Sequence, residues 1–144
     1  MKKKLVVLAA VSMFLMTGSA MAAGTSTVAV SATVLGSCTI SGGTAAFGNL
    51  DPAGAGPVSA AISQPQVNCT NGAPYTITDD GGLNAPYKMA KGSDLISYSL
   101  SYTTAGLGTG AGVNIGLAAS VAALDYQNKP AGSYTDTITL SVLP

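Results

Sequence analysis

The sequence predicts an all-β chain folded as an antiparallel β-sandwich. Three observations carry this. Short runs alternate apolar and polar residues, the period of a strand with one buried face. Turn signals built from Gly, Pro, Asn and Asp recur about every ten residues. The 144 residues, rich in Ala, Gly, Ser, Thr and Val, have room for one domain.

The elements follow in order. Lys2, Lys3 and Lys4 precede an apolar run from Leu5 to Met16, and Ala20-Met21-Ala22 offers small residues at a cleavage site. Residues 1–22 therefore read as a secretory signal peptide cut after Ala22, too short in its apolar run to span a bilayer. Residues 27–34 alternate, with Val28, Val30, Ala32 and Val34 on one face and Thr27, Ala29, Ser31 and Thr33 on the other. Residues 37–41 and 44–48 are short strand candidates joined at Gly42-Gly43, and Asn49 to Pro57 reads as loop. In residues 58–69 the apolar phase moves from even (Val58, Ala60, Ile62) to odd (Val67, Cys69) across Pro65, which predicts a break with Pro65 at an edge.

Asn71-Gly72 signals a tight turn before the strand at residues 74–78, and Asp79-Asp80-Gly81-Gly82 signals another. Tyr87 to Ala90 is a brief strand. Leu95 to Tyr102 places Ile96, Tyr98, Leu100 and Tyr102 on one side. Gly106 to Gly112 is a Gly-rich hairpin or loop. Residues 113–124 are Ala-rich and fit helix or strand; the surroundings favour strand. After a turn at Pro130-Ala131-Gly132, a last strand from Tyr134 to Leu143 holds Tyr134, Asp136, Ile138, Leu140 and Val142 in one register.

Composition excludes several functions. Without the signal, Lys88, Lys91 and Lys129 face six acids, all Asp, so there is no basic nucleic-acid footprint. The chain has no His, which removes Ser-His-Asp and Cys-His catalysis and His-ligated metals; two Cys make no Cys-rich zinc site. No enzyme, cofactor or metal site is expected. Cys38 and Cys69, an even pair in an exported chain, predict one structural disulfide. Gly106 to Gly112 lacks the Lys of a phosphate loop, and Asp79-Asp80 followed by two Gly reads as a turn before it reads as a paired-carboxylate site. Asn68-Cys69-Thr70 fits a glycosylation pattern that depends on the host. The tyrosines at 75, 98, 102 and 134 sit at strand positions suited to core or rim packing, and Phe47 to the core.

The N-terminus is the informative oddity. Residues 23–35 form an apolar alternating segment outside the disulfide-bridged body, and the last strand runs almost to Pro144. Two readings stay open. The segment pairs within its own sandwich, or it adds as a strand to another molecule whose sandwich lacks one.

An ordered set of motifs then matches a family. These are Ser37-Cys38-Thr39-Ile40, Phe47-Gly48-Asn49-Leu50-Asp51-Pro52, Val67 through Ile77, Met89-Ala90-Lys91-Gly92, Leu95 through Leu100, and Pro130 through Val142. With both cysteines placed in it, the chain resembles the spore coat protein U domain, shared by secreted coat proteins and subunits of archaic chaperone–usher pili. The resemblance implies an incomplete immunoglobulin-like sandwich, completed by an N-terminal donor strand from a neighbouring subunit. It implies residues 23–35 as donor segment, with Val28, Val30, Ala32 and Val34 pointing inward, and residues 36–144 as the body. The implied partners are other pilus subunits, a periplasmic chaperone and an outer-membrane usher. The implied destination is the periplasm and then a surface fibre serving adhesion and biofilm. A coat or matrix protein that uses no usher, and a minor or tip-proximal adhesive subunit, are the alternatives.

Overall fold

The structure, a computed structural model, describes residues 23–144; the expected signal peptide lies outside the described residues. The chain divides after Ala32 into two units. In the first, residues 23–32 carry no helix or strand and are exposed throughout. The alternation at residues 27–34 is thus present without a ladder, because a strand needs a hydrogen-bonded neighbour and this segment has none among the described residues.

The second unit, Thr33–Pro144, is a body of short antiparallel strands. In chain order these are β1 (Cys38–Ile40), β2 (Thr44–Ala46), β3 (Val58–Ser59), β4 (Ala61–Ser63), β5 (Gln66–Cys69), β6 (Pro74–Asp79) and β7 (Lys88–Lys91). There follow β8 (Asp94–Ser97), β9 (Ser99–Ser101), β10 (Ala105–Leu107), β11 (Val113–Asn114), β12 (Ala118–Val121), α1 (Ala123–Tyr126) and β13 (Leu140–Leu143).

The short ladders join into two layers. In the first, β1 pairs β5 from Cys38↔Cys69 to Ile40↔Val67, and β2 pairs β4 from Thr44↔Ser63 to Ala46↔Ala61, in one unbroken register. On the far side, β5 pairs β11, β3 pairs β12, and β12 pairs β9. In the second layer β10 pairs β6, β6 pairs β13, and β7 pairs β8. The extended chain before β13 bonds to β7 through the Ala90↔Thr135 bridge. Strand alternation puts Val67, Cys69, Tyr75 and Ile77 inward, where they form one core cluster with Ile115 and Leu117. Ile96, Val121 and Tyr126 form a second.

The phase change in residues 58–69 is real, but its agent is not at an edge. Pro65 is among the most deeply buried side chains, in the gap between β4 and β5. Opposite it, a Cβ on Gly43 would come within 2.7 Å of the Pro65 ring and 2.4 Å of the Ser63 carbonyl oxygen. Only Gly lets the partner strand pass there. Gln64 closes the same break with its side-chain amide, which donates to the Leu117 carbonyl and accepts from the Leu117 N–H, both at 2.8 Å. Residues 113–124, expected as strand, divide: β11 and β12 are strands, and the last residues turn into α1. The Ala-rich sequence serves both, and the buried Tyr126 is what the helical turn delivers to the core.

Turn chemistry follows the residues. Asp79 and Asp80 each accept from a backbone N–H two residues on, Gly81 at 2.7 Å and Gly82 at 2.9 Å, as Asx turns do. The tyrosine hydroxyls also have partners. Tyr87 and Tyr102 donate to Asp79, and Tyr98 donates to Asp136 at 2.6 Å. This explains a carboxylate in the inward register of the last strand: Asp136 is half-buried and also accepts from the Leu83 N–H at 2.9 Å.

The structure bonds Cys38 to Cys69, directly opposite each other on β1 and β5 with Cα atoms 4.1 Å apart. The crosslink closes a loop of 31 residues' separation, worth about 3–4 kcal/mol on chain-entropy reasoning. Replacing both cysteines with Ala is expected to lower stability by about that amount, read as a fall in the urea midpoint with a steeper slope, because the uncrosslinked unfolded chain exposes more surface.

Burial, and then the Asp136 carboxylate, push the Tyr98 hydroxyl well above the ordinary tyrosine value of 10.0; burial and Asp79 do the same for Tyr102. The folded state therefore holds protons that the unfolded chain releases above that pH. The stabilisation is complete below about pH 10 and declines as pH rises toward the folded values. Urea midpoints at pH 9 and pH 11 are expected to differ less in a Tyr98→Phe/Tyr102→Phe variant than in the parent chain.

Candidate functional site

The body has two strand edges that face each other unpaired. In its layer β1 has one ladder neighbour, β5, and in the other layer β13 has one, β6. β1 and β13 run close together with no ladder between them. Their free edges leave main-chain donors and acceptors with no strand to receive them.

The side chains between these edges are under-covered. On β6, Tyr75 and Ile77 are buried, with Ile77 at 2 % exposure. On the neighbouring last strand, Ile138, Leu140 and Val142 point inward in the predicted register yet reach only half-burial. The same holds for Ile40 on β1 and Leu100 on β9. Among the described residues no further strand lies over them.

Two cavities fill the space where one would lie. One, of about 130 Å³, is lined by Ala45, Leu100, Leu117, Ile138 and Leu140, all aliphatic. The other, of about 630 Å³, lies between residues 45–52 and 129–134, with Phe47, Met89, Ile96 and Tyr134 in its wall. Ala45 lines both, so the two lie side by side along residues 129–140 and together form the trough. Phe47 packs behind it on Tyr98, ring centroids 6.0 Å apart. At the Tyr134 end, Lys91 donates to the Ala131 carbonyl and lies 6.0 Å from the Tyr134 ring centroid. Burial and nearby Asp94 raise the Tyr134 hydroxyl above its usual value.

The trough has no reaction chemistry in its wall. The smaller cavity is aliphatic, while the larger mixes apolar side chains with Asn49, Lys129, Ser133 and main-chain groups, a lining that suits an extended segment alternating apolar and polar residues. Among the described residues no group of three His, Cys, Asp or Glu is placed to hold a metal ion, and no helix is long and apolar enough to cross a membrane.

The residues singled out from the sequence fall in two places. Cys38 and Cys69 join β1 to β5, in the ribbon whose β2 end, Ala45 and Ala46, lines the trough. Val28, Val30 and Val34 are 85 %, 90 % and 82 % exposed, and Ala32 is exposed too. Sequence reasoning did not name the trough wall of Ala45, Phe47, Met89, Leu117 and Ile138. One signal was present: the inward face near the last strand is apolar from Ile138 to Val142.

The family model of the Spore Coat Protein U domain matches residues 24–141. No curated protein sequence matches the chain. Among solved structures, the chain is similar to one described as the CsuC-CsuE chaperone-tip adhesion subunit pre-assembly complex from archaic chaperone-usher Csu pili of Acinetobacter baumannii. Identity there is 23% and the TM-score 0.47, over 76% of this chain and 40% of that one. The chain thus spans about 40% of that solved chain's length.

An open apolar trough binds apolar dyes. The isolated chain is expected to enhance the fluorescence of anilinonaphthalene sulfonate, and Ile138→Asp with Leu140→Asp to reduce the enhancement several-fold while far-ultraviolet circular dichroism stays unchanged.

Proposed function

The chain belongs to the Spore Coat Protein U domain family, and from that premise we propose that it is a structural subunit of a chaperone–usher surface pilus, polymerising by donor-strand exchange. One observation carries the reading. The trough lies between two unpaired strand edges, while the same chain carries an exposed segment, residues 23–34, of the alternation a trough strand needs.

The two match in length and chemistry. Residues 24–34 span about 35 Å when extended, as do residues 133–143 on the trough's wall. Val28, Val30, Ala32 and Val34 enter the aliphatic wall, while Thr27, Ser31 and Thr33 face water. Each fully buried Val contributes roughly 1.5–3 kcal/mol, so the three give about 5–9 kcal/mol as an upper bound. Ladder bonds to the free edges fix register, because a one-residue slip turns Thr27, Ser31 and Thr33 into the apolar wall. Pairing in trans then makes a non-covalent polymer with slow dissociation.

In this reading residues 1–22 export the chain to the periplasm. A chaperone lends a strand to the trough there, and an outer-membrane usher is where the next subunit's residues 23–35 replace it. The fibre serves attachment and biofilm. The role is structural and non-enzymatic.

The test is full-length chain made with its chaperone and usher, run on gels in unboiled detergent. A ladder of multimers that collapses on boiling is expected. Val30→Asp puts an unpaired carboxylate into the apolar wall and is expected to cut polymer yield at least tenfold. Normal polymer from that variant defeats the reading and leaves the secreted coat protein that uses no usher.

A further inference from the structure

We propose that the end of the body from which residues 23–34 depart is a docking face for a second copy of this chain, seated against that copy's α1 end. The proposal rests on the strand-exchange reading and adds a body-to-body contact that strand exchange alone does not require.

The exit point is anchored. The Thr70 hydroxyl donates to the Leu35 carbonyl and accepts from the Ser37 N–H at 3.1 Å; the Thr70 N–H donates to the Ser37 carbonyl at 2.9 Å. The Cys38–Cys69 disulfide follows at once. Val34, the last inward-facing residue of the donor segment 23–35, is therefore one residue from fixed chain. A residue of extended chain reaches about 3.5 Å, so the body that accepts the segment must come to rest against this end.

What it meets there is apolar. Leu35, Leu107 and Leu143 are 79 %, 65 % and 61 % exposed. Leu107 lies opposite Pro74 in the β10–β6 ladder, and Leu143 opposite Thr76 in β13–β6. Gly36 stands beside Ala73 and Pro144. The segments that build this end, residues 33–37, 69–76, 104–113 and 141–144, contain no Lys or Asp. An uncharged face with three exposed leucines is the composition of an interface centre.

The opposing face follows from which end is free. An accepting copy sends its own segment out at its Leu35 end, so an incoming body seated there collides with that exit. The incoming body lies instead at the other end of the trough, where the wall is built by Phe47 to Leu50 and Pro130 to Tyr134. There α1 carries Leu124 at 84 % exposure, flanked by Asp125 and, beyond it, Lys129 as a polar rim. Leucines of one end against Leu124 of the other make a head-to-tail contact, which repeats into a filament and straightens it.

The experiment compares assembled fibres of full-length chain by electron microscopy and by unboiled gels. Leu107→Glu and Leu124→Lys, both at exposed positions, are each expected to shorten the fibre's persistence length at least twofold while the multimer ladder is unchanged. The double variant Leu107→Glu/Leu124→Lys restores it through an opposite-charge pair. A Leu107→Cys/Leu124→Cys chain treated with a short bis-maleimide is expected to give covalent multimers that survive boiling. Wild-type stiffness in both single variants, with no covalent multimers, overturns the docking while leaving strand exchange intact. The same result with lost binding to hydrophobic beads assigns the leucines to surface attachment instead. Absence of any ladder from the wild-type chain overturns the strand-exchange reading, and the docking falls with it.

Discussion

A strand edge without a neighbour is the constraint on which the rest of this molecule turns. Main-chain N–H and C=O groups demand partners, and the edges of β1 and β13 face each other with none between them. The consequences extend inward. Ile138, Leu140 and Val142 stay half-buried, with no further strand over them among the described residues. The clusters around Ile115 and Val121 reach to the gap, where Leu140 and Leu100 pack on the first and Phe47, Met89 and Tyr134 on the second while remaining half-covered.

The polar devices hold the unfinished side open. The disulfide fixes β1 to β5, which holds the β1–β2 ribbon in register with β4–β5. On the opposite wall, Asp136 ties the last strand to Tyr98 and to the Leu83 N–H, while Asp79 gathers Tyr87 and Tyr102. Each carboxylate takes several donors, so a half-buried charge is satisfied without a cation. Collapse of the trough would break these bonds for a modest gain in apolar contact.

Much of this was legible in the residues. Period-two alternation found the strand at 74–78, and found 95–102 as β8 and β9 with a break at Tyr98. It found the last strand only from Leu140 to Leu143, with Tyr134 to Thr139 extended but joined by the single Thr135 bridge. Asn71-Gly72 and Asp79 to Gly82 announced turns. The even register of Tyr134 through Val142 was read correctly, including the anomalous Asp136, whose partner across 38 residues no local pattern reveals. Pro65 was misplaced because Pro in a strand usually signals an exposed edge, and here it is buried in a break shared by two strands. The short helix at Ala123–Tyr126 escaped because Ala suits helix and strand alike in so few residues. The trough itself was beyond a one-dimensional reading. It is the absence of a neighbour between residues 38–47 and 130–143, which only the pairing of strands defines.

Alternation has a blind spot that the Gly43–Pro65 crossing removes. A strand displaced by two residues keeps every apolar side chain on its proper face, so hydrophobic burial alone does not oppose the shift. In the ribbon of β1–β2 with β4–β5, such a shift carries Gly43 away from the Pro65 ring and brings a residue with a Cβ into a space that admits none. The crossing works as a notch and key along the wall of the trough. The register it selects is the one that sets Cys38 opposite Cys69, where the disulfide joins them.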